Sequence, residues 1–179
     1  DEAKFYLDGL IASLSTTGDA RVVNYVDTAH LAHQTNVHSC IAVDCEMCDT
    51  EHGLELCRIT AISESGELLL DTLVKPYSPI TNYRQQWSGI SHEMMEPIEL
   101  RLEQVQCALL RLISPDTIII GHSLENDLHA LRIIHRRCVD TALLYPHPKG
   151  YPLRYKLKNL AKEYLSLDIQ GRSPCSMED

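Results

Sequence analysis

Residues 41–46 read IAVDCE, a short apolar run that leads directly into two carboxylates. The run is typical of a buried strand. Because positions i and i+2 of a strand face the same way, Asp44 and Glu46 are expected to project side by side from the end of that strand. Two carboxylates this close repel each other, and a divalent cation relieves the repulsion. The pair therefore indicates a seat for Mg²⁺ or Mn²⁺, although a solvated strand edge has the same pattern.

A second apolar run, residues 117–120 (TIII), predicts another buried strand. It is followed by a turn and a helix for which Ser123 is the expected N-cap. The apolar stripe predicted for this helix consists of Leu128, Leu131 and Ile134. Asp127 falls in its first turns, where the helix dipole alone would also favour a carboxylate. Asp127 reaches the same sheet end as Asp44 only if the strand at 117–120 is a parallel neighbour of the strand at 41–43.

The remaining pattern predicts an α/β fold. Residues 56–63 and 68–74 are expected to pair as a hairpin across the turn at 64–66. Helices are expected over residues 100–113 and 157–165. Hairpin strands followed by alternating helix and strand favour a mixed sheet flanked by helices. We expect one domain over residues 40–179. Residues 1–39, with a short helix at 5–14 and either a short strand or an extended covering segment at 22–26, are expected to be an extension packing on or beside it.

Composition narrows the possible functions. The net charge of −9 excludes a protein that binds nucleic acid through its overall charge. The basic residues are unevenly distributed, however: eight of the 16 Lys and Arg lie in residues 132–162, where Asp140 is the only acidic residue. This stretch is either a solvated face or a local phosphate contact. The odd count of seven cysteines indicates a reducing compartment. Cys45 and Cys48 form a C-x-x-C without a second Cys/His pair, so zinc is not favoured. No apolar run predicts a membrane span.

Two segments carry a specific resemblance. Residues 43–48 (VDCEMC) and 121–128 (GHSLENDL) resemble the first two motifs of the Rex-type RNA exonucleases, a branch of the DEDD exonuclease superfamily. Five further segments match the same family in order: 53–56 (GLEL), 73–76 (LVKP), 88–90 (SGI), 139–144 (VDTALL) and 157–160 (LKNL). The likeness covers roughly residues 40–179. It implies an RNase H-like fold, a mixed sheet flanked by helices.

The resemblance also implies a chemistry. It implies a 3′-to-5′ exoribonuclease that uses two Mg²⁺ or Mn²⁺ ions and releases 5′-phosphate nucleotides from RNA with a free 3′ end. The implied metal ligands are Asp44, Glu46, Asp127 and Asp179. Met47 and His122 occupy positions that contact the terminal nucleotide in relatives, although a core methionine and a hydrogen-bonded turn histidine remain alternatives. Similar proteins are often nuclear or nucleolar, so the nucleus is expected, with the cytosol possible.

The last motif departs from the family pattern. Relatives place a general-base histidine five residues before the final aspartate, and this chain has Pro174 there. The other superfamily branch uses tyrosine four residues before it, where this chain has Cys175. Three explanations follow: a weak or inactive domain that retains RNA binding, a base from another residue, or a segment that differs from the native one. Because relatives continue into a helix, we expect the domain to be truncated after Asp179. Beside the exoribonuclease and the inactive RNA-binding domain, a DNA exonuclease is a third hypothesis for the function.

Overall fold

The computed structural model describes residues 25–31 and 37–169. Within them the chain forms eight strands: β1 (Val26–Asp27), β2 (Cys40–Thr50), β3 (Gly53–Ser63), β4 (Leu68–Leu73), β5 (Ile80–Asn82), β6 (Ile118–Gly121), β7 (Ile133–Ile134) and β8 (Cys138–Asp140). The helix predicted at 5–14, most of the strand at 22–26, and the residues Pro174, Cys175 and Asp179 lie outside the described residues.

The main sheet is mixed, with the order β4-β3-β2-β6-β8 and with β5 paired to β2. Strands β2, β3 and β4 are antiparallel, whereas β6 runs parallel to both β2 and β8. Ile41 lies opposite Ile119 in the β2–β6 pair. The predicted parallel pairing of these strands is thereby confirmed, and so is the β3–β4 hairpin.

Strand β2 is longer than the sequence pattern predicted. The prediction that Asp44 and Glu46 stand at a strand end is wrong, because β2 continues to Thr50 and turns tightly into β3. The Thr50 hydroxyl closes this turn by donating to the Gly53 carbonyl at 2.9 Å. Gly53 has a φ of 105°, a backbone conformation that residues other than glycine rarely adopt. The acids therefore lie along a long hairpin, with strand on both sides of them.

Six short α-helices flank the sheet within the described residues: α1 (Gln85–Ser88), α2 (His92–Met95), α3 (Leu102–Leu110), α4 (Glu125–Ala130), α5 (Thr141–Leu144) and α6 (Leu157–Leu160). A 3₁₀ turn covers Thr28–His30, and a π-helix, Ala161–Leu165, continues α6. The helix predicted at 100–113 is confirmed in its central part, and the residues predicted as a helix at 157–165 form the α-helix and the π-helix in succession. Among the described residues, no helix has the length and apolar character needed to cross a bilayer.

Successive side chains of β2 point to opposite faces of the sheet. Ile41, Val43 and Cys45 are buried in the main core with α3 and α4. Cys48 belongs to a second buried cluster with Cys57, Ile90 and Met95. Cys45 and Cys48 therefore point to opposite faces, since positions three apart on a strand alternate. Two thiols on opposite faces of one strand cannot both contact a single metal ion.

Residues 25–31, within the predicted extension, pack on the domain. Strand β1 pairs in parallel with β7, and Asp27 accepts two hydrogen bonds from Arg136, which lower the pKa of Asp27 to about 2. His135 is buried beneath this contact. Its Nε2 donates to the Thr117 carbonyl at 2.7 Å, and its Nδ1 lies 2.8 Å from the Thr28 hydroxyl. His135 thus connects Thr28, in the 25–31 segment, to Thr117, which directly precedes β6.

This histidine predicts an acid-sensitive fold. Burial, with the nearby charges of Arg136 and Arg137, lowers the pKa of His135 below its ordinary value of 6.5. As the pH falls below about 6.5, the unfolded chain binds a proton that the folded chain does not, so the free energy of unfolding decreases. Urea unfolding at pH 7.5 and 5 measures this. We expect His135→Gln to be less stable at pH 7.5 and to lose part of the pH dependence; an unchanged dependence would contradict the assignment.

Candidate active site

Asp44 and Glu46 share one face of β2, as predicted, and both are half-buried. Between them, Cys45 points to the opposite face and anchors the strand in the core. The pairing with β3 shifts register at the Glu46–Met47 step, where Glu46 faces Arg58 and Met47 faces Leu56. Such a bulge increases local twist and redirects the side chains beside it. The pair of acids therefore sits at an irregular point of an otherwise regular hairpin.

Asp127 reaches the same point of the sheet from α4. Its side chain is only 5% exposed, and its Oδ1 accepts a hydrogen bond at 2.9 Å from the backbone N–H of Cys45, between the two strand acids. A close approach of the preceding turn to β2 makes this possible. A Cβ atom on Gly121 would lie 3.0 Å from the Val43 carbonyl oxygen and 2.7 Å from a Leu124 methyl. A larger residue at 121 would press on the β2 backbone, so glycine at this position favours the close approach of the turn that precedes Asp127.

The electrostatics of the three acids are mutually unfavourable. Burial raises the pKa of Asp127 well above its ordinary range, and the charge of Asp44 raises it further. The buried Cys45 thiol, whose pKa burial also raises, experiences the charges of Asp127, Asp44 and Glu46 together. The three carboxylates therefore act on one small region. A cation placed among them would relieve both the repulsion and the cost of burying Asp127.

The three acids are close but do not form a closed metal cage. Within residues 25–31 and 37–169, no group of three or more His, Cys, Asp or Glu side chains is arranged to hold a metal ion. Asp179, the fourth predicted ligand, lies outside the described residues. Carboxylate oxygens are nevertheless the donors that Mg²⁺ and Mn²⁺ prefer, so the donor chemistry fits these ions. The role of all four acids as metal ligands stays a prediction.

His122 lines a cavity of about 100 Å³ beside Asp44, together with Thr60, Thr141 and Leu157. Its Nε2 donates to the Tyr155 carbonyl at 3.0 Å, and its Nδ1 lies 2.9 Å from the Thr141 hydroxyl. Both ring nitrogens are thus engaged, as expected of a hydrogen-bonded turn histidine. Met47 is half-buried and packs against the main core. Contact of either side chain with a nucleotide stays a prediction.

The turn before α4 is held by Asp140, a residue whose role the sequence did not reveal. Ser123 was predicted as the N-cap, which is wrong: Ser123 has a φ of 57°, and no side chain caps the helix from within the turn. Instead, the Asp140 carboxylate accepts from the N–H groups of Ser123 at 2.8 Å and Leu124 at 3.2 Å. It also accepts from Ala142 at 2.8 Å. Asp140 therefore fixes the turn that carries Asp127.

Replacing Asp140 should loosen this turn. We expect Asp140→Ala to lower the free energy of unfolding by about 2 kcal/mol, since three buried or half-buried N–H groups lose their acceptor. Asp140→Asn retains one acceptor oxygen, so its loss should be about half as large. Equilibrium urea unfolding at neutral pH measures both. Equal stability of Asp140→Ala and the wild type would show that the carboxylate does not hold the turn.

Comparison of the sequence with those of known proteins identifies a family. No protein-family model matches the chain. The chain is 47% identical over 129 residues to the putative exonuclease GOR of Homo sapiens, covering 72% of this chain and 19% of that protein. It is 41% identical over 151 residues to the human RNA exonuclease 1 homolog, covering 84% of this chain and 12% of that protein. The chain belongs to the Rex-type RNA exonuclease family. It spans about a fifth or less of the length of these two relatives.

A solved structure supports the fold of this Rex-type domain. The RNA exonuclease module of Saccharomyces cerevisiae Pan2, in complex with A7 RNA, superposes with a TM-score of 0.70 at 24% identity. The match covers 83% of this chain and 28% of that chain. At this identity the likeness establishes the fold alone. It agrees with the RNase H-like fold that was predicted, a mixed sheet flanked by helices.

The basic stretch of the Rex-type domain is less uniform than its sequence indicated. Four of the eight cations pair with acids from elsewhere: Arg136 with Asp27, Arg137 with Asp116, Arg154 with Glu125 and Lys162 with Asp168. In contrast, Lys149, Lys156 and Lys158 are exposed and form no ion pair with the described residues. The eighth cation, Arg132, is half-buried, so any phosphate track along this stretch depends mainly on the three lysines.

Proposed function

We propose that this domain is a 3′-to-5′ exoribonuclease that hydrolyses the terminal phosphodiester bond of RNA and releases a 5′-phosphate nucleotide. One observation carries the proposal: the carboxylate of Asp127 accepts a hydrogen bond from the backbone N–H of Cys45, the residue between Asp44 and Glu46. The names of the relatives, which are exonucleases and RNA exonucleases, support the reaction class. The Pan2 module bound to RNA supports a single strand of RNA as the substrate.

Asp44, Glu46 and Asp127, with Asp179, would hold two Mg²⁺ or Mn²⁺ ions. When bound, such ions lower the pKa of the attacking water and stabilise the departing 3′ oxygen. The chain itself contributes the positions of the acids. The Cys45 N–H donates to one oxygen of Asp127 and so orients this carboxylate against β2. Asp140 holds the turn that bears Asp127, so the buried acid keeps its place against the repulsion of Asp44.

The terminal nucleotide would lie beside Met47 and His122. The cavity next to Asp44 includes His122, whose ring is fixed by Tyr155 and Thr141. Recognition of RNA would rest on its free 3′ end and its 2′-hydroxyl groups, since a nuclease that trims successive nucleotides gains nothing from reading one base. The nuclear or nucleolar location implied by the family is part of the proposal; imaging the tagged full-length protein tests it, and an exclusively cytosolic signal contradicts it.

A second candidate function is an RNA-binding domain with weak or absent catalysis. The observation that favours it is Pro174 at the position where relatives carry the general-base histidine, with Cys175 at the alternative tyrosine position. Proline has no titratable side chain, so it cannot accept the proton of the attacking water. Loss of a general base typically slows a reaction by about 10²–10⁴-fold. Slow cleavage would therefore remain compatible with the leading proposal.

Incubation of the domain with 5′-labelled RNA and DNA oligomers, in Mn²⁺ or in chelator, separates the hypotheses. The leading proposal predicts a ladder of products shortened by one nucleotide on RNA only, abolished by the chelator. RNA retention without any ladder would support the binding domain and contradict the exonuclease. Equal ladders on both polymers would support a DNA-tolerant exonuclease and contradict recognition of the 2′-hydroxyl.

A further inference from the structure

The segment between α5 and α6, residues 145–156, forms a loop beside the site and is named here the 145–156 loop. An antiparallel bridge between Pro146 and Arg154 closes it. At its tip, Gly150 donates to the His147 carbonyl at 2.8 Å and Leu153 donates to the Gly150 carbonyl at 3.1 Å. These bonds define a compact hairpin-like turn.

Two contacts attach this loop to the elements that carry the site. Arg154 forms a hydrogen-bonded ion pair at 2.5 Å with Glu125, in the first turn of the helix that bears Asp127. The carbonyl of Tyr155 accepts from His122, which lines the cavity beside Asp44. The loop is therefore fixed relative to the acids at two points.

The loop and the residues just after it expose a combination suited to a polyanion with unstacked bases. Tyr151 is 84% exposed, the highest exposure among the large apolar side chains of the described residues. Lys149 and Lys156, on the loop, and Lys158, just beyond it, are exposed as well. Residues 141–162 contain no acid. Exposed aromatic rings on which bases stack, beside lysines that follow a backbone, are the common elements of single-strand binding.

We propose that the 145–156 loop docks single-stranded RNA upstream of the 3′-terminal nucleotide, with Tyr151 stacked on a base and Lys149, Lys156 and Lys158 contacting phosphates. The inference rests on the proposed function, because it takes RNA as the occupant of the site. Apart from Lys158, which lies in the matching segment 157–160, it adds a binding surface that the acids and the family motifs do not include. The rigid attachment of the loop lowers the entropy lost when a base stacks on the ring.

The test compares the affinity of the 179-residue chain and its variants for a 5′-fluorescein-labelled 12-nucleotide RNA, measured by anisotropy in chelator so that no cleavage occurs. We expect Tyr151→Ala to raise Kd about tenfold, within the range found for loss of a stacked base. Tyr151→Phe retains the ring and should bind like the wild type. Changing the three lysines to glutamine should lower the slope of log Kd against log salt by about 0.7 for each phosphate that the variant no longer neutralises.

A matched control is Tyr77→Ala. Tyr77 is 67% exposed, but its hydroxyl donates to Glu103 and Arg101 lies 4.8 Å from its ring centre, so that face of the ring is occupied. We expect no change in Kd for this variant. Because Tyr151 is exposed, Tyr151→Ala should melt at the wild-type temperature, which separates a binding defect from misfolding.

The outcomes separate this inference from the exonuclease proposal. If the wild type cleaves RNA and Tyr151→Ala binds and cleaves equally well, the docking surface is refuted and the exonuclease stands. If the wild type binds RNA without cleaving it and Tyr151→Ala loses binding, the docking surface is supported and the exonuclease is refuted. If the wild type neither binds nor cleaves RNA, both proposals are refuted.

Discussion

Replacement of Asp44 by alanine is expected to reduce the rate of RNA hydrolysis by about two to four orders of magnitude, the range associated with losing activation of the attacking water. Asp44 is half-buried on β2, and its charge acts on the buried Asp127. Removing it eliminates a ligand from the predicted metal set and eliminates the negative charge that such a set needs. Single-turnover cleavage of a 5′-labelled RNA in Mn²⁺ measures the effect.

Folding of this variant separates the loss of chemistry from a loss of structure. Because Asp44 repels Asp127, the free energy of unfolding of Asp44→Ala in chelator should equal or exceed that of the wild type. The matched control is Asp116→Ala, which removes an exposed carboxylate whose ion pair with Arg137 lies at the surface. Such pairs contribute little to stability, so the control should be neutral in both assays. Full activity of Asp44→Ala would show that this carboxylate is not needed.

The second large effect is a gain of function. Pro174→His should increase the hydrolysis rate by about 10²–10⁴-fold, since it restores a proton acceptor five residues before Asp179. The expected rate would also gain a dependence on an ionisation near neutral pH, as a histidine base titrates there. Cleavage rates from pH 5 to 9 in Mn²⁺ measure both properties.

A neighbouring substitution provides the control for this gain. Ser173→His introduces the same imidazole one residue earlier, six residues before Asp179, where neither superfamily branch has its base. We expect no comparable acceleration from it. If Pro174→His and the wild type cleave RNA at the same measurable rate, another residue supplies the base. Cleavage by neither chain would favour the RNA-binding domain.

Much of the fold was predictable because hydrophobic periodicity determines strand and helix directly. The runs at 41–43 and 117–120 became neighbouring parallel strands, and this pairing alone brings Asp127 towards Asp44. The extent of β2 was not predictable in the same way. Its second half alternates charged with buried residues, and the hairpin with β3 decides its length rather than local composition.

The support of the site depends on contacts between distant residues, which sequence patterns do not encode. Asp140 holds the turn before α4 from a position 16–17 residues later, because β6 and β8 are parallel and place Gly121 opposite Asp140. The same dependence explains the wrong assignments of Ser123 as the N-cap and of Ile134 to the helical stripe. The helix ends at Ala130, and Ile134 instead pairs with Asp27 in the small sheet. The motif at 139–144 signalled importance without revealing this role.

The most direct test of the central claim is anomalous diffraction from crystals of the domain soaked in Mn²⁺. We predict two anomalous peaks about 3.5–4 Å apart, as in other two-metal nucleases, both contacted by oxygens of Asp44, Glu46 and Asp127. The peaks should vanish in crystals of Asp44→Ala. Saturating Mn²⁺ without a peak among these three carboxylates, or with peaks only elsewhere on the surface, would contradict the account.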